Sequence, residues 1–149
     1  LELRRVLKTL QPGSRMLAIR ALLNSWSTSK RLHEPKIHRC LVCGSFQDDL
    51  PYYLVCNTFW DLLCCAAKLD KSFLDLPPLH RCGLCDPSSK KLLLIACAFR
   101  VYHAIKFQHL ELALSAHAPG GDPSPLFDLI LHLAEFHLKE LKFHCVIYL

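Results

Sequence analysis

The sequence contains one methionine and only five glycines among its 149 residues. None of these glycines forms the glycine-rich loop that cradles phosphate groups, and the sequence also lacks a nucleophile elbow and an HExxH zinc-protease motif. The zinc deaminase motif is missing too, because that motif has a proline directly before its C-x-x-C pair and neither C-x-x-C pair of this sequence has one. We therefore predict that the protein is not an enzyme.

Long hydrophobic runs are also absent. The longest, from Leu92 to Phe99, has eight residues, whereas a membrane-spanning helix needs about 20. The opening segment LELRRVLKTL is amphipathic and lacks the apolar stretch of a secretory signal. Since the first residue is Leu1 and not Met, we expect a fragment or a processed chain. These observations predict a protein without membrane association, in a reducing compartment such as the nucleus or cytoplasm.

Charged residues are few, and their net charge is modest. Charged residues make up 21% of the chain, and the net charge is +5. The lysines and arginines are scattered and are not interleaved with aromatic residues, so nucleic-acid binding is allowed by the sequence but is not required by it. By contrast, 52% of the residues are hydrophobic and 31 are leucines. This composition excludes intrinsic disorder and predicts one leucine-rich domain.

Cysteine and histidine are abundant, with nine of each. An odd number of cysteines excludes a complete set of intrachain disulfides. In a reducing compartment, clustered thiols are metal ligands or buried apolar residues more often than disulfides. We predict that some of the cysteines bind zinc.

Two pairs carry most of this prediction: Cys40-x-x-Cys43, the first knuckle, and Cys82-x-x-Cys85, the second knuckle. The spacing lets two thiolates approach one tetrahedral ion from a single turn, and backbone amides remain to bond the sulfurs. Two alternatives remain open, namely buried thiols in a cysteine-rich core and a redox pair.

The complete ligand set has two candidate arrangements. In the first, both knuckles share one ion. In the second, the second knuckle is joined by Cys64 or Cys65 and by a histidine such as His144, while the first knuckle forms a weaker or separate site. Adjacent cysteines point about 100° apart on a helix, so only one of Cys64 and Cys65 can face a given metal. A site filled by four protein ligands would be structural.

Other cysteines and histidines have less specific patterns. His38 and His80 each stand two residues before a knuckle and are alternative ligands. Three further cysteines are interpreted as small apolar residues on packing or partner faces: Cys56, Cys97 and Cys145.

Hydrophobic periodicity predicts helices over 2–10, 15–25, 51–69, 89–115 and 125–140, and a strand in the terminal LKFHCVIYL. The fold class is therefore α+β but mostly helical, a compact zinc-stabilised domain with a few short strands. Residues 1–149 form one domain, with four parts: an N-terminal helical pair (1–36), a zinc-knuckle and helix core (37–117), a linker (118–125), and a C-terminal helix and strand (126–149).

One helical face suggests a partner. Leu93, Cys97 and Val101 follow one another at a spacing of four, and the pattern recurs at Leu141, Cys145 and Leu149. A leucine, a small cysteine and an aliphatic residue at this spacing are what elongin-binding helices present to a hydrophobic groove. We interpret Leu93, Cys97 and Val101 as partner-binding residues.

Several short elements occur in an order that resembles a known family. They are LCCAAKLD at 63–70, LHRCGLC at 79–85, Ile-Ala at 95–96 and FHLKELKFHCVIYL at 136–149. The segment 52–149 that contains them resembles the adenovirus early-region-four 34-kilodalton protein family, the product of the sixth open reading frame.

The resemblance implies a non-enzymatic adaptor that binds zinc through cysteine and histidine residues. Together with a larger viral early protein, such an adaptor recruits host elongins and a cullin and directs host proteins to ubiquitination. The residues that match the family's cluster are Cys64, Cys65, His80, Cys82 and Cys85, with one spacing a residue wider than in the family. The family's elongin box lies elsewhere, so the resemblance does not bear on Leu93.

The leading hypothesis is thus a viral adaptor for a cullin–elongin ubiquitin ligase in the nucleus and cytoplasm of the host cell. The alternative is a zinc-stabilised protein of a DNA virus that binds nucleic acid or regulates transcription or assembly.

Overall fold

The computed structural model describes residues 2–142. These residues are 63% helical, which confirms the prediction of a mostly helical fold. The helices are α1 (Glu2–Thr9), α2 (Pro12–Leu22), α3 (Leu50–Val55), α4 (Asn57–Ala67), a 3-10 helix (Lys71–Asp75), α5 (Pro78–Arg81), α6 (Ser89–Gln108), α7 (Leu110–Ala116) and α8 (Ser124–Glu140).

The expected short strands are not found in residues 2–142, where β pairing is limited to one bridge between Arg39 and Gln47. The first knuckle lies inside this bridge and folds back on itself: the Cys40 amide donates to the Phe46 carbonyl at 3.1 Å. Hydrogen bonds within this tight turn replace the ladder of a hairpin. The terminal segment predicted as a strand lies, from residue 143 onward, outside the described residues.

Two predicted helices are each divided in the structure. The helix expected over 51–69 breaks at Cys56, whose φ of −66° and ψ of 96° are not helical. The helix expected over 89–115 breaks at His109 (φ −133°, ψ 24°). Asn57 and Thr58 follow the first break, and such residues favour helix caps over helix interiors. Cys56, the residue at the break, is both the C-cap of α3 and the N-cap of α4.

The centre of the fold is α6. It packs against α2 and α8, and α8 also packs against α4. Twelve of the 20 residues of α6 are buried, and they lie on all sides of the helix. A helix that is apolar on every side is typical of a protein interior. None of the helices within residues 2–142 has the combination of length and apolarity that crossing a membrane requires.

The burial of α6 contradicts the predicted partner face. Leu93 is 2% exposed, and Cys97 and Val101 are 0% exposed. The Cys97 thiol donates to the carbonyl of Ala134 on α8 at 3.6 Å. The three side chains whose spacing of four suggested a groove-binding face instead pack inside the protein's own core. The repeat of this pattern extends to Cys145 and Leu149, which lie outside the described residues.

The loop from 27 to 36 closes over the C-terminal half of α6. The Tyr102 hydroxyl donates to the Ser27 carbonyl at 3.0 Å, and the Lys106 ammonium donates to the Glu34 carboxylate at 2.9 Å. Trp26, which precedes the loop, is buried against Tyr53 and Tyr102. These contacts bring the loop and α3 to the same end of α6, beside the first knuckle.

We expect Leu93→Ala to lower the free energy of unfolding by about 2–5 kcal/mol, because it leaves a cavity in the core. The matched control is Leu23→Ala, since Leu23 is 73% exposed and its truncation should change stability by about 0.5 kcal/mol or less. Urea titration followed by circular dichroism measures both. Equal stability of the two variants would contradict the buried placement of Leu93.

Candidate metal centre

The structure brings three cysteines together: Cys40, Cys43 and Cys56, the cysteine cluster. Their sulfurs all lie within 4.8 Å of one another, and within residues 2–142 this is the one group of three metal-ligating side chains so placed. The Cys40 and Cys56 sulfurs are 3.9 Å apart. Tetrahedral zinc with Zn–S bonds of about 2.3 Å holds its sulfurs about 3.8 Å apart. The cluster therefore has the dimensions of a thiolate metal site.

A tight turn positions the two cysteines of the first knuckle. The Gly44 amide donates to the Cys40 carbonyl at 2.9 Å, and Gly44 has a φ of +70°, which favours glycine. A Cβ atom at Gly44 would lie 2.7 Å from the His117 ring. His117 also places its Nε2 atom 3.4 Å from the Leu41 carbonyl oxygen. The C-terminal end of α7 therefore packs directly on the outside of the turn.

The third sulfur comes from the break between α3 and α4. The Asp49 carboxylate accepts from the Tyr52 amide at 3.0 Å and caps the start of α3, and this short helix ends at Val55, just before Cys56. Cys56 is then the N-cap of α4, where the helix dipole and free amides favour a thiolate. The prediction that Cys56 is a small residue on a packing face is confirmed by its burial in the core, and its sulfur also belongs to the cluster.

The three thiols differ in protonation. Contacts with the Cys40 and Cys56 thiols hold the pKa of Cys43 well below its usual range, against the effect of burial. The same contact with Cys43, then Cys56 and burial, raise the pKa of Cys40. The Cys40 contact lowers the pKa of Cys56, but Cys43 and burial outweigh it and raise that pKa to about 11. Contact among the three thiols thus favours a thiolate at Cys43 and protonated thiols at Cys40 and Cys56.

Tyr52 adds a further donor to this thiolate. Its hydroxyl lies 3.1 Å from the Cys43 sulfur, and burial and Cys43 raise the pKa of Tyr52, so the phenol keeps its proton. The exposed ring of Phe46 packs against Tyr52 with ring centroids 5.0 Å apart. Hydrogen bonds of this kind orient a ligand sulfur and adjust its basicity.

The second knuckle is not part of the cluster. Cys82 is buried and Cys85 is exposed, and the Cys82 thiol donates to the Leu79 carbonyl at 3.4 Å. Cys82 lies beside apolar side chains of α2, α3 and α6, where burial raises its pKa. The arrangement in which both knuckles share one ion is therefore not the one that the structure assembles.

The other predicted ligands are also apart from the cluster. Cys64 is buried and Cys65 is exposed, as expected for neighbours that point in different directions on α4. His80 is half-buried, and the Nε2 atom of His38 lies 3.8 Å from the Glu34 carboxylate. His144 falls outside the described residues.

A buried carboxylate next to the first knuckle was not anticipated from the sequence. Asp48 is 0% exposed and accepts hydrogen bonds from the Ser29 amide and from the hydroxyls of Tyr53 and Tyr102. The Lys106 ammonium lies 3.5 Å from it. Buried charges are normally paired in this way, but nothing in the local sequence Gln-Asp-Asp-Leu distinguishes the buried Asp48 from the capping Asp49.

No family model, curated protein or solved structure matches this chain. What the protein does must therefore be inferred from its own residues.

We expect metal affinity to fall as the pH falls. The lowered pKa of Cys43 favours its thiolate at neutral pH, and the raised pKa values of Cys40 and Cys56 favour their protonated forms. Metal binding then displaces about two protons, so the logarithm of the association constant should rise by about two per pH unit near neutrality. Chelator competition at several pH values measures this slope. A slope near three, or none, would contradict the assigned protonation.

Proposed function

We propose that the protein binds one zinc ion through Cys40, Cys43 and Cys56, with the fourth tetrahedral position taken by a ligand outside this cluster, and that the ion stabilises a helical, non-enzymatic adaptor. The observation that carries the metal site is the mutual approach of three sulfurs within 4.8 Å. Thiolate ligands at this separation suit zinc and other soft ions, and clustered cysteines in a reducing compartment are metal ligands more often than disulfides.

The environment of the cluster also suits a stabilising ion. Cys40 and Cys56 are buried, and their sulfurs come from two separate segments, the first knuckle and the start of α4. An ion shared between them would tie the knuckle to the helix. Because ligands must be brought together before they can bind, the binding free energy of such an ion contributes to folding.

The adaptor role is supported by an exposed aromatic groove between α6 and α8. It has a volume of about 460 Å³ and is lined by residues that include Phe99, Phe107, Leu133 and Phe136. Phe107 is 65% exposed and Phe136 is 54% exposed. Aromatic side chains are enriched at the centres of protein–protein interfaces. The resemblance to the adenovirus family names the partners: host elongins and a cullin, together with a second viral early protein.

Zinc is tested by metal analysis of protein purified without added metal. We expect at least one equivalent of zinc per chain, and a loss of this zinc in Cys56→Ser, which removes one of the three sulfurs. Cys65→Ser is the matched control, because Cys65 lies on the same helix but is exposed. A well-folded wild-type chain without metal would refute the site, and zinc loss in the control would refute this choice of ligands.

The adaptor role is tested by co-purification of the tagged chain with elongins and a cullin. We expect Phe136→Ala to abolish the association through loss of apolar contact, while the exposed-site control Leu23→Ala retains it. An apolar contact should change little with salt, whereas nucleic-acid binding through 6–10 phosphates would weaken by about 10³–10⁵-fold between roughly 50 and 200 mM. Failure of elongins and cullin to co-purify, together with steep salt-sensitive RNA or DNA binding, would favour the nucleic-acid alternative.

A further inference from the structure

The buried Asp48 carboxylate is connected to the metal centre by a chain of hydrogen bonds. The Tyr53 hydroxyl donates to Asp48 at 2.9 Å, and the same oxygen accepts from the Leu41 amide at 3.1 Å. Leu41 lies between the two cysteines of the first knuckle. The carboxylate, the phenol and the knuckle backbone therefore form one continuous buried path.

A second contact holds the chain that enters the knuckle. The Asp48 amide donates to the His38 carbonyl at 2.9 Å, and the His38 amide donates to the Ser29 hydroxyl at 3.0 Å. Ser29 in turn gives its own amide to the Asp48 carboxylate at 2.7 Å. The knuckle is thus fixed to Asp48 both at its entry and at its middle, through hydrogen bonds that do not involve the cysteine sulfurs.

We propose that Tyr53 and Asp48 are positioning residues of the metal centre, which hold the knuckle in its metal-binding conformation before the ion arrives. The inference rests on the zinc site proposed above and adds residues that touch no metal. In a knuckle already held in place, less conformational entropy is lost on binding, so the ion binds more tightly. Groups that support ligands in this manner typically change metal affinity by about 10–100-fold when removed.

Tyr102 provides the comparison that separates positioning from general stabilisation. Its hydroxyl also donates to Asp48, at 3.1 Å, and its ring also packs against Trp26. The same hydroxyl proton, however, is shared with the Ser27 carbonyl, at 3.0 Å, and not with the knuckle. Both tyrosines are buried, and both hydroxyls donate to Asp48. Each phenylalanine variant therefore removes one hydroxyl donor from the same carboxylate.

The experiment compares Tyr53→Phe with Tyr102→Phe. Zinc affinity is measured by competition with a chromophoric chelator at fixed pH, and the stability of the zinc-free, reduced protein is measured by urea titration. We expect Tyr53→Phe to bind zinc about 10–100-fold more weakly and Tyr102→Phe to stay within about twofold of wild type, although both lose stability. An unchanged affinity in Tyr53→Phe, or equal losses in both variants, would overturn the inference.

A second measurement requires no variant and applies even if Tyr53→Phe does not fold. Hydrogen exchange of the Leu41 amide is followed by NMR in the zinc-free wild-type protein. We expect this amide to be protected without metal; protection that appears only after zinc is added would overturn the inference. A wild-type chain that binds no zinc fails the proposed function itself, and metal analysis identifies that outcome separately.

Discussion

The burial of one carboxylate organises this protein. Asp48 is fully buried, so hydrogen-bond donors from the surrounding chain must replace water in stabilising its carboxylate. Those donors come from three segments that are distant in sequence: the loop at Ser29, α3 at Tyr53 and α6 at Tyr102 and Lys106. Removing any of them would leave the charge less compensated, so the segments are held to one another. The first knuckle is fixed to this assembly through Tyr53.

The sequence predicts the helices well because apolar residues recur at helical spacing. It fails for α6 for a physical reason. When a helix is buried on every side, a leucine, a cysteine and a valine at a spacing of four are part of the core, although the same spacing on a surface helix would form a docking stripe. The pattern gives the spacing of Leu93, Cys97 and Val101, and only the packing of α2 and α8 around them shows that they are buried.

The candidate site was predictable in part. The spacing of Cys40 and Cys43 is a local property, and it correctly indicates two thiols on one turn. The second knuckle has the same spacing, yet Cys85 is exposed and no third ligand among residues 2–142 lies beside it. The third ligand depends on where a helix ends. Had the helix continued through Cys56, as periodicity suggested, the position of its sulfur would have been set by that helix and not by a cap.

The sequence positions of the three ligands affect how far metal can stabilise the fold. All three fall within the 17 residues from Cys40 to Cys56, so closing them around an ion costs little chain entropy even in the unfolded protein. An unfolded chain that can itself chelate zinc reduces the stabilisation obtained from metal, since only the difference in affinity between the two states counts. The folded state gains its advantage through groups outside this short segment that hold the knuckle, such as Ser29 in the preceding loop and His117 at the end of α7. Metal stabilisation in this protein is therefore a measure of how firmly the rest of the fold holds the segment that carries the ligands.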